Sequence, residues 1–177
     1  MVQNVFGFIS NIFQDSGAHC ILIGGFAIGF YGVSRQTVDV DFLISEEEFP
    51  KVDRALTELG YKKTHSQKLF TRFSKPEKGN MDLDFIYVDA ATLKQIATDG
   101  RTVEIGGRPF TIPSLSHLIA LKLHSIKQNP HLREQKDLPD IIQLMRANDI
   151  AADSQEFKVL CLKFGTKELY EKIKTLL

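Results

Sequence analysis

The chain has no tryptophan, two cysteines, six prolines and no surplus of either charge. Lys+Arg and Asp+Glu each total 22, so no global positive field draws it to a polyanion. That excludes a dedicated nucleic-acid-coating module and leaves room only for a local basic cleft. Two cysteines cannot build a disulfide-dense scaffold or a four-cysteine zinc site. Cys20 precedes the apolar Ile21-Leu22-Ile23 and Cys161 sits in an apolar helical pattern, so both read as buried thiols. No apolar run approaches the ~20 residues that a membrane-spanning helix needs. The first residues show no basic region followed by a small-residue cleavage site, so no secretory signal is expected and a reducing cytoplasm is the expected compartment. The five histidines lack metal-ligand spacing, and no Walker or Gly-x-Ser-x-Gly pattern occurs. Internal repeats and low-complexity tracts are also missing.

What is present is an ordinary globular composition, 43% hydrophobic and 25% charged over 177 residues. That length suits one domain with a good core, or a core plus a small helical extension. Val2, Val5, Phe6, Ile9, Ile12 and Phe13 recur at helical spacing, predicting an amphipathic helix over 2–15 that Gly17 ends. A short buried strand is predicted at 19–23, a helix at 26–31 and a strand at 38–44. Ser45 and Glu48 form a capping-box pattern for a helix to about Leu59, closed by Gly60, with Pro50 delaying its regular start. Strands at 61–65 and 68–74 lead to a polar turn at Lys75-Pro76-Glu77-Lys78-Gly79-Asn80 and a strand at 81–88. Asp89 caps a helix to about Thr98. Gly106-Gly107 joins strands 101–105 and 108–112 as a hairpin. Helices are predicted at 115–127, 138–147, 154–164 and 166–176, with a loop at 128–135. Strands crowd the first two thirds and helices the last, an α+β plan with a mixed sheet flanked by helices. The boundary is expected near 113, with a core over 1–113 and a helical C-terminal part over 114–177.

The most informative stretch runs from Ile23 to Ile44. It reads as strand, the pair Gly24-Gly25, a short helix, a loop and a strand carrying Asp39 and Asp41. Val38, Val40 and Phe42 alternate with the two acids, so both acids leave the same sheet face. Two close carboxylates repel unless a cation lies between them. Oxygen ligands on a rigid strand suit Mg²⁺ (or Mn²⁺) held together with phosphates. The glycine pair offers bare backbone of the kind a triphosphate can approach.

These residues resemble the signature of the nucleotidyltransferase superfamily typified by DNA polymerase beta. That signature is Gly-Gly or Gly-Ser, nine to thirteen residues, then Asp-apolar-Asp-apolar, and thirteen residues separate Gly25 from Asp39 here. Arg35, Thr37 and the later helices are similar to the small bacterial branch near the AbiEii toxin and the minimal nucleotidyltransferases. The resemblance implies the nucleotidyltransferase fold and transfer of a nucleoside monophosphate from an NTP to a hydroxyl of an unidentified acceptor, which could be protein, tRNA or a small molecule. It also implies a toxin–antitoxin setting with an antitoxin partner. A module of the same fold that binds nucleotide or partner without turnover is the rival reading.

In that family a third carboxylate on a neighbouring strand completes the metal site and serves as the base for the attacking hydroxyl. Asp82 and Asp84 share one face of strand 81–88, and either fits. Asp82 is favoured as the inward acid nearer the sheet edge, so Asp39, Asp41 and Asp82 are the expected metal ligands. Arg35 and Thr37 lead into the first acidic strand and are both candidates for nucleotide binding; Arg35 either holds a triphosphate oxygen or orders the loop. On helix 115–127, Leu115, Leu118, Ile119, Leu123 and Ile126 form an apolar stripe with Lys122 in its middle. A buried lysine needs a partner. That partner is either a structural acid or, as the AbiEii-like match at His117–Lys122 implies, a phosphate. Asp137 and Asp140 are read as structural, with Asp137 as the partner of Lys122 or as a helix cap ahead of a first-turn Pro139. Arg133 and Lys136 either touch phosphate or nucleic acid or are solvated loop residues.

Overall fold

A computed structural model describes residues 2–75 and 81–177, with side chains from residue 5 onward. The polar turn expected at 75–80 therefore lies, from residue 76, outside the described residues, as does the side chain of Val2. The chain divides into two compact units: Met1–Ala27 with Gln36–Pro113, and Ile28–Arg35 with Ser114–Leu177.

The first unit is built on a seven-stranded mixed sheet. Helix α1 (Val2–Ser16) leads to β1 (Cys20–Ile23), and Gly17 turns the chain between them with φ +63°. Helix α2 (Gly24–Gly29) follows without a connecting residue, two residues earlier than the sequence pattern predicts. Then come β2 (Asp39–Ser45), α3 (Phe49–Glu58), β3 (Lys62–Gln67), β4 (Phe70–Ser74), β5 (Asp82–Val88), α4 (Ala90–Thr98), β6 (Arg101–Ile105) and β7 (Arg108–Ile112). The strand order is β3-β4-β5-β2-β1-β7-β6, with β2–β5 and β1–β7 parallel and the other neighbours antiparallel.

The elements follow from local chemistry. Asp89 accepts the Thr92 backbone N–H at 2.8 Å and caps α4. Gly106 and Gly107 both have positive φ, the geometry of a two-residue hairpin turn. At α3 the capping box is incomplete. Ser45 Oγ accepts from the Glu48 N–H at 3.3 Å, but the Glu48 carboxylate turns away and accepts from the His19 backbone N–H at 3.0 Å. The helix starts at Phe49 with Pro50 in its first turn, where a missing N–H costs nothing.

Alternation sorts the central strands. Val40, Phe42, Leu83 and Phe85 are fully buried on one face. Phe42 stacks on Phe85 at 5.6 Å and meets Phe13 edge-on at 5.0 Å, while Phe6 contacts Phe110 at 5.3 Å. Each such ring contributes about 2–3 kcal/mol of burial. This aromatic layer fixes the register that sends the acids out of the opposite face, because a slip of one residue would bury them.

The second unit is helical: α5 (Leu115–Gln128), α6 (Pro130–Ala147), α7 (Gln155–Phe164) and α8 (Lys167–Leu176). Leu118, Ile119, Leu123 and Ile126 of α5 are buried, as are Leu138, Ile141, Leu144 and Met145 of α6. Phe157, Leu169, Tyr170 and Ile173 complete the core. The segment Ile28–Arg35 belongs here. Asn148 Nδ2 donates to the Tyr31 carbonyl at 2.9 Å and to the Leu144 carbonyl at 2.8 Å, tying it to α6.

A larger difference from the sequence pattern lies at α6. Of the loop expected at 128–135 only Asn129 is non-helical: α5 runs to Gln128, and α6 starts at Pro130, pre-set for a first turn. Pro139 therefore lies inside a helix, and Asp137 is not its cap. Proline removes one helical hydrogen bond at the Gln135 carbonyl. Pro139 and Gln135 are both exposed, so water can reach that carbonyl. The buried Leu138, Ile141 and Ile142 hold the other face in place.

Candidate functional site

The sheet face opposite the aromatic layer gathers the acids. Parallel pairing of β2 and β5 sets Asp39 opposite Asp82 and Asp41 opposite Asp84. Carboxylate oxygens of Asp39, Asp41 and Asp84 lie within 4.8 Å of one another. Asp82 stands outside this group, with its side chain 40% exposed against 6% for Asp84. The structure thus brings Asp84, not the favoured Asp82, together with Asp39 and Asp41. One pleat along β5 carries the side chain deeper between β4 and β2.

The glycine pair serves these side chains directly. Gly24 has φ +64°, and a Cβ there would lie 1.9 Å from Oδ2 of Asp41. A Cβ on Gly25 would lie 2.7 Å from Cβ of Thr37. Gly24 therefore makes room for Asp41, and Gly25 for Thr37. Thr37 Oγ1 in turn donates to Asp39 Oδ1 at 2.9 Å and orients that carboxylate.

Arg72 is a site residue that the sequence pattern does not reveal. From β4, directly opposite Asp84, its Nε donates to Asp84 Oδ1 at 2.7 Å and its Nη2 to Asp84 Oδ2 at 2.6 Å. Nη2 also reaches Asp39 Oδ2 at 3.3 Å, and Nη1 lies 3.9 Å from Asp82. The fork to Asp84, joined by the fields of Asp84, Asp39 and Asp82, outweighs partial burial and pushes the guanidinium pKa above its already high value. Its available signal was one basic residue in the alternating Phe70-Thr71-Arg72-Phe73. The pairing with Asp84 depends on the register of β4 against β5, which alternation within one strand does not set.

Arg35 and Lys122 belong to the helical unit. Lys122 is buried and donates to Asp137 Oδ1 at 3.0 Å and to Asp140 Oδ2 at 2.6 Å. Arg35 Nε sits 3.1 Å from Asp140 Oδ1. Arg133 Nε donates to Asp137 Oδ2 at 2.9 Å and to Ser125 Oγ at 2.6 Å. Both cysteines are free. Burial pushes the Cys161 thiol up to about 11, and desolvation, with Glu48 adding, lifts Cys20 well above the usual range.

The donor set of Asp39, Asp41 and Asp84 is all carboxylate oxygen on two adjacent strands, which fits a hard divalent cation. It holds no nitrogen or sulfur ligand of the kind zinc prefers.

A family model described as uncharacterised nucleotidyltransferase matches residues 3–175. No curated protein matches the sequence significantly. Among solved structures, ANT(2″)-Ia in complex with adenylyl-2″-tobramycin superposes with a TM-score of 0.65 at 18% identity, over 92% of this chain and 95% of that one. A lincomycin-bound lincosamide antibiotic adenylyltransferase gives 0.56 at 19% identity, over 80% and 95%. A putative nucleotidyltransferase from Thermotoga maritima gives 0.54 at 18% identity, over 75% and 90%. At these identities the likeness shows the fold, and the family assignment rests on the match over nearly the whole chain.

Proposed function

Because this chain belongs to the uncharacterised nucleotidyltransferase family, we propose that it transfers a nucleoside monophosphate from an NTP to a hydroxyl acceptor with Mg²⁺ or Mn²⁺. The observation that carries this reading is the meeting of Asp39, Asp41 and Asp84 beside the bare backbone of Gly24. These three carboxylates would hold the metal, which neutralises phosphate charge when bound. Thr37 keeps Asp39 turned toward the group, and Gly24 lets Asp41 reach it. Asp84 is the third carboxylate: an oxygen of it takes the proton of the acceptor hydroxyl. The acceptor's hydroxyl oxygen, so deprotonated, then bonds the α-phosphorus as the bond from that phosphorus to the α–β bridging oxygen breaks, and pyrophosphate leaves.

Arg35 and Lys122, candidates for phosphate in the sequence, take a structural role in this reading, since Asp140 and Asp137 already engage them. The acceptor class favoured is a small polyhydroxylated molecule, because one structural neighbour is a complex with adenylyl-2″-tobramycin and another is lincomycin-bound. ATP is the first donor to try, since one neighbour holds adenylyl-2″-tobramycin and the other is an adenylyltransferase. The AbiEii-like branch, a toxin role and an antitoxin partner rest on the sequence resemblance alone.

The test is incubation of each NTP, labelled at the α-phosphate, with Mg²⁺ or Mn²⁺ and separate acceptor sets: tobramycin, lincomycin, tRNA and lysate protein. Label in the antibiotic fraction is expected. Label in tRNA or protein would move the acceptor to a macromolecule. Failure to bind any NTP in the presence of metal would overturn the catalytic reading in favour of an inactive module.

A further inference from the structure

Asp84 uses both carboxylate oxygens on the Arg72 fork, and Arg72 also reaches Asp39, so two of the three acids that would hold a metal already share a protein cation. We propose that Arg72 is an internal counter-ion that competes with the divalent cation for Asp84 and Asp39, so that the site loads metal strongly only together with nucleotide. This rests on the nucleotidyltransferase reading above.

The geometry supports exchange rather than a permanent lock. The Arg72 side chain is 36% exposed, while Asp84 is 6% and Asp39 11% exposed. The guanidinium is thus more accessible to solvent than the two carboxylates it pairs with. A guanidinium also stays charged at any working pH, so proton loss cannot free the acids. They are freed only when another cation replaces it. A metal ion alone must then displace a bidentate, charge-assisted pair to gain its ligands. With nucleotide present, Arg72 released from Asp84 meets phosphate oxygens, which accept the same fork that the carboxylate did. Arg72 is therefore a positioning residue. It keeps the like-charged acids gathered before the metal arrives and sets the order in which metal and nucleotide bind.

The test is Mn²⁺ binding, followed by electron paramagnetic resonance of the free ion, for wild type, Arg72→Met and Arg72→Lys, without and with a non-hydrolysable NTP analogue. Thermal melting in chelator and in Mn²⁺ accompanies each. Without nucleotide, Arg72→Met is expected to bind Mn²⁺ about tenfold more tightly than wild type, as removal of a charged hydrogen-bonded competitor implies. Arg72→Lys, which keeps the charge but loses the fork, should fall between them. With the analogue the order reverses, because the variants lack the phosphate partner. The melting temperature of Arg72→Met should be lower than wild type in chelator and be raised more by Mn²⁺. Should Arg72→Met not fold, Arg72→Lys still must bind Mn²⁺ more tightly than wild type. Unchanged or weaker Mn²⁺ binding by the variants without nucleotide would overturn the proposal and leave Arg72 as a purely structural pair. If wild type binds no Mn²⁺ even with nucleotide, it is the metal-dependent reading of the site that falls.

Discussion

Two ionic clusters, one in each unit, use the same residue types in opposite ways. On the sheet, Arg72 bridges Asp84 and Asp39 from a partly exposed position. In the helical unit, Lys122, Arg35 and Arg133 surround Asp137 and Asp140, whose side chains are 1% and 3% exposed. The first has its acids on strands and a partly exposed cation, the arrangement on which the proposed exchange rests. The second has acids and lysine together in a helical core, where separating them would leave a bare charge in a low dielectric. Carboxylates near a cation do not by themselves mark a site: Arg133 is as exposed as Arg72, and what sets the second cluster apart is the buried Lys122 held between Asp137 and Asp140.

The largest effect should come from breaking the buried cluster. Lys122→Met keeps the aliphatic packing but strands Asp137 and Asp140, and should destabilise the protein by about 3–5 kcal/mol. Chemical unfolding gives the stability and NTP titration the affinity. Near-normal stability with a clear loss of nucleotide affinity would make this cluster a phosphate site and dissolve the contrast.

Next is the ranking of the acids on β5. Asp84→Asn should reduce transfer by about 10²-fold or more while the fold survives, whereas Asp82→Asn should stay within about tenfold of wild type. Steady-state rates on whichever acceptor takes up the label in the NTP incubation decide it. A reversed ranking would return the third-carboxylate role to Asp82.

Gly24→Ala sharpens the comparison from the backbone side. The new methyl would collide with the Asp41 carboxylate at a residue with φ +64°. A cost of about 1–3 kcal/mol is expected, with nucleotide-dependent Mn²⁺ binding weakened disproportionately. Calorimetry of metal binding alongside thermal unfolding separates the two. Equal metal binding in the variant would show that Asp41 is dispensable for the ion.

The smallest effect belongs to Thr37→Val, which removes the hydroxyl that orients Asp39. About 1 kcal/mol is expected, appearing as weaker metal–nucleotide binding rather than lower stability. A change confined to the melting temperature would count against the orienting role.

Several features were legible in the chain itself. The period-2 pattern of β2 and β5 put Asp39, Asp41, Asp82 and Asp84 on one face, because alternation is a local property of extended backbone. Asp89, Gly17 and Gly106-Gly107 marked a cap and two turns for equally local reasons. Lys122 announced itself as a buried charge needing a partner, since its position in an apolar stripe is helical arithmetic. Pro139 misled, because its usual place in a first turn was outweighed by the apolar face of an 18-residue helix.

What tertiary structure decided was every choice between equivalent residues. Asp84 rather than Asp82 joins Asp39 and Asp41 because Asp84 is paired on both sides, with Arg72 of β4 and Asp41 of β2, whereas Asp82 is the first residue of β5 and is more exposed. Arg72 faces Asp84 because of the register in which β4 pairs with β5. Lys122 meets Asp137 and Asp140 because α6 begins at Pro130 and lies along α5. Local sequence sets which face a side chain leaves by, through dihedral preference and periodicity. Which side chain it meets there is set by packing of the aromatic and aliphatic layers, a non-local balance that no short window contains.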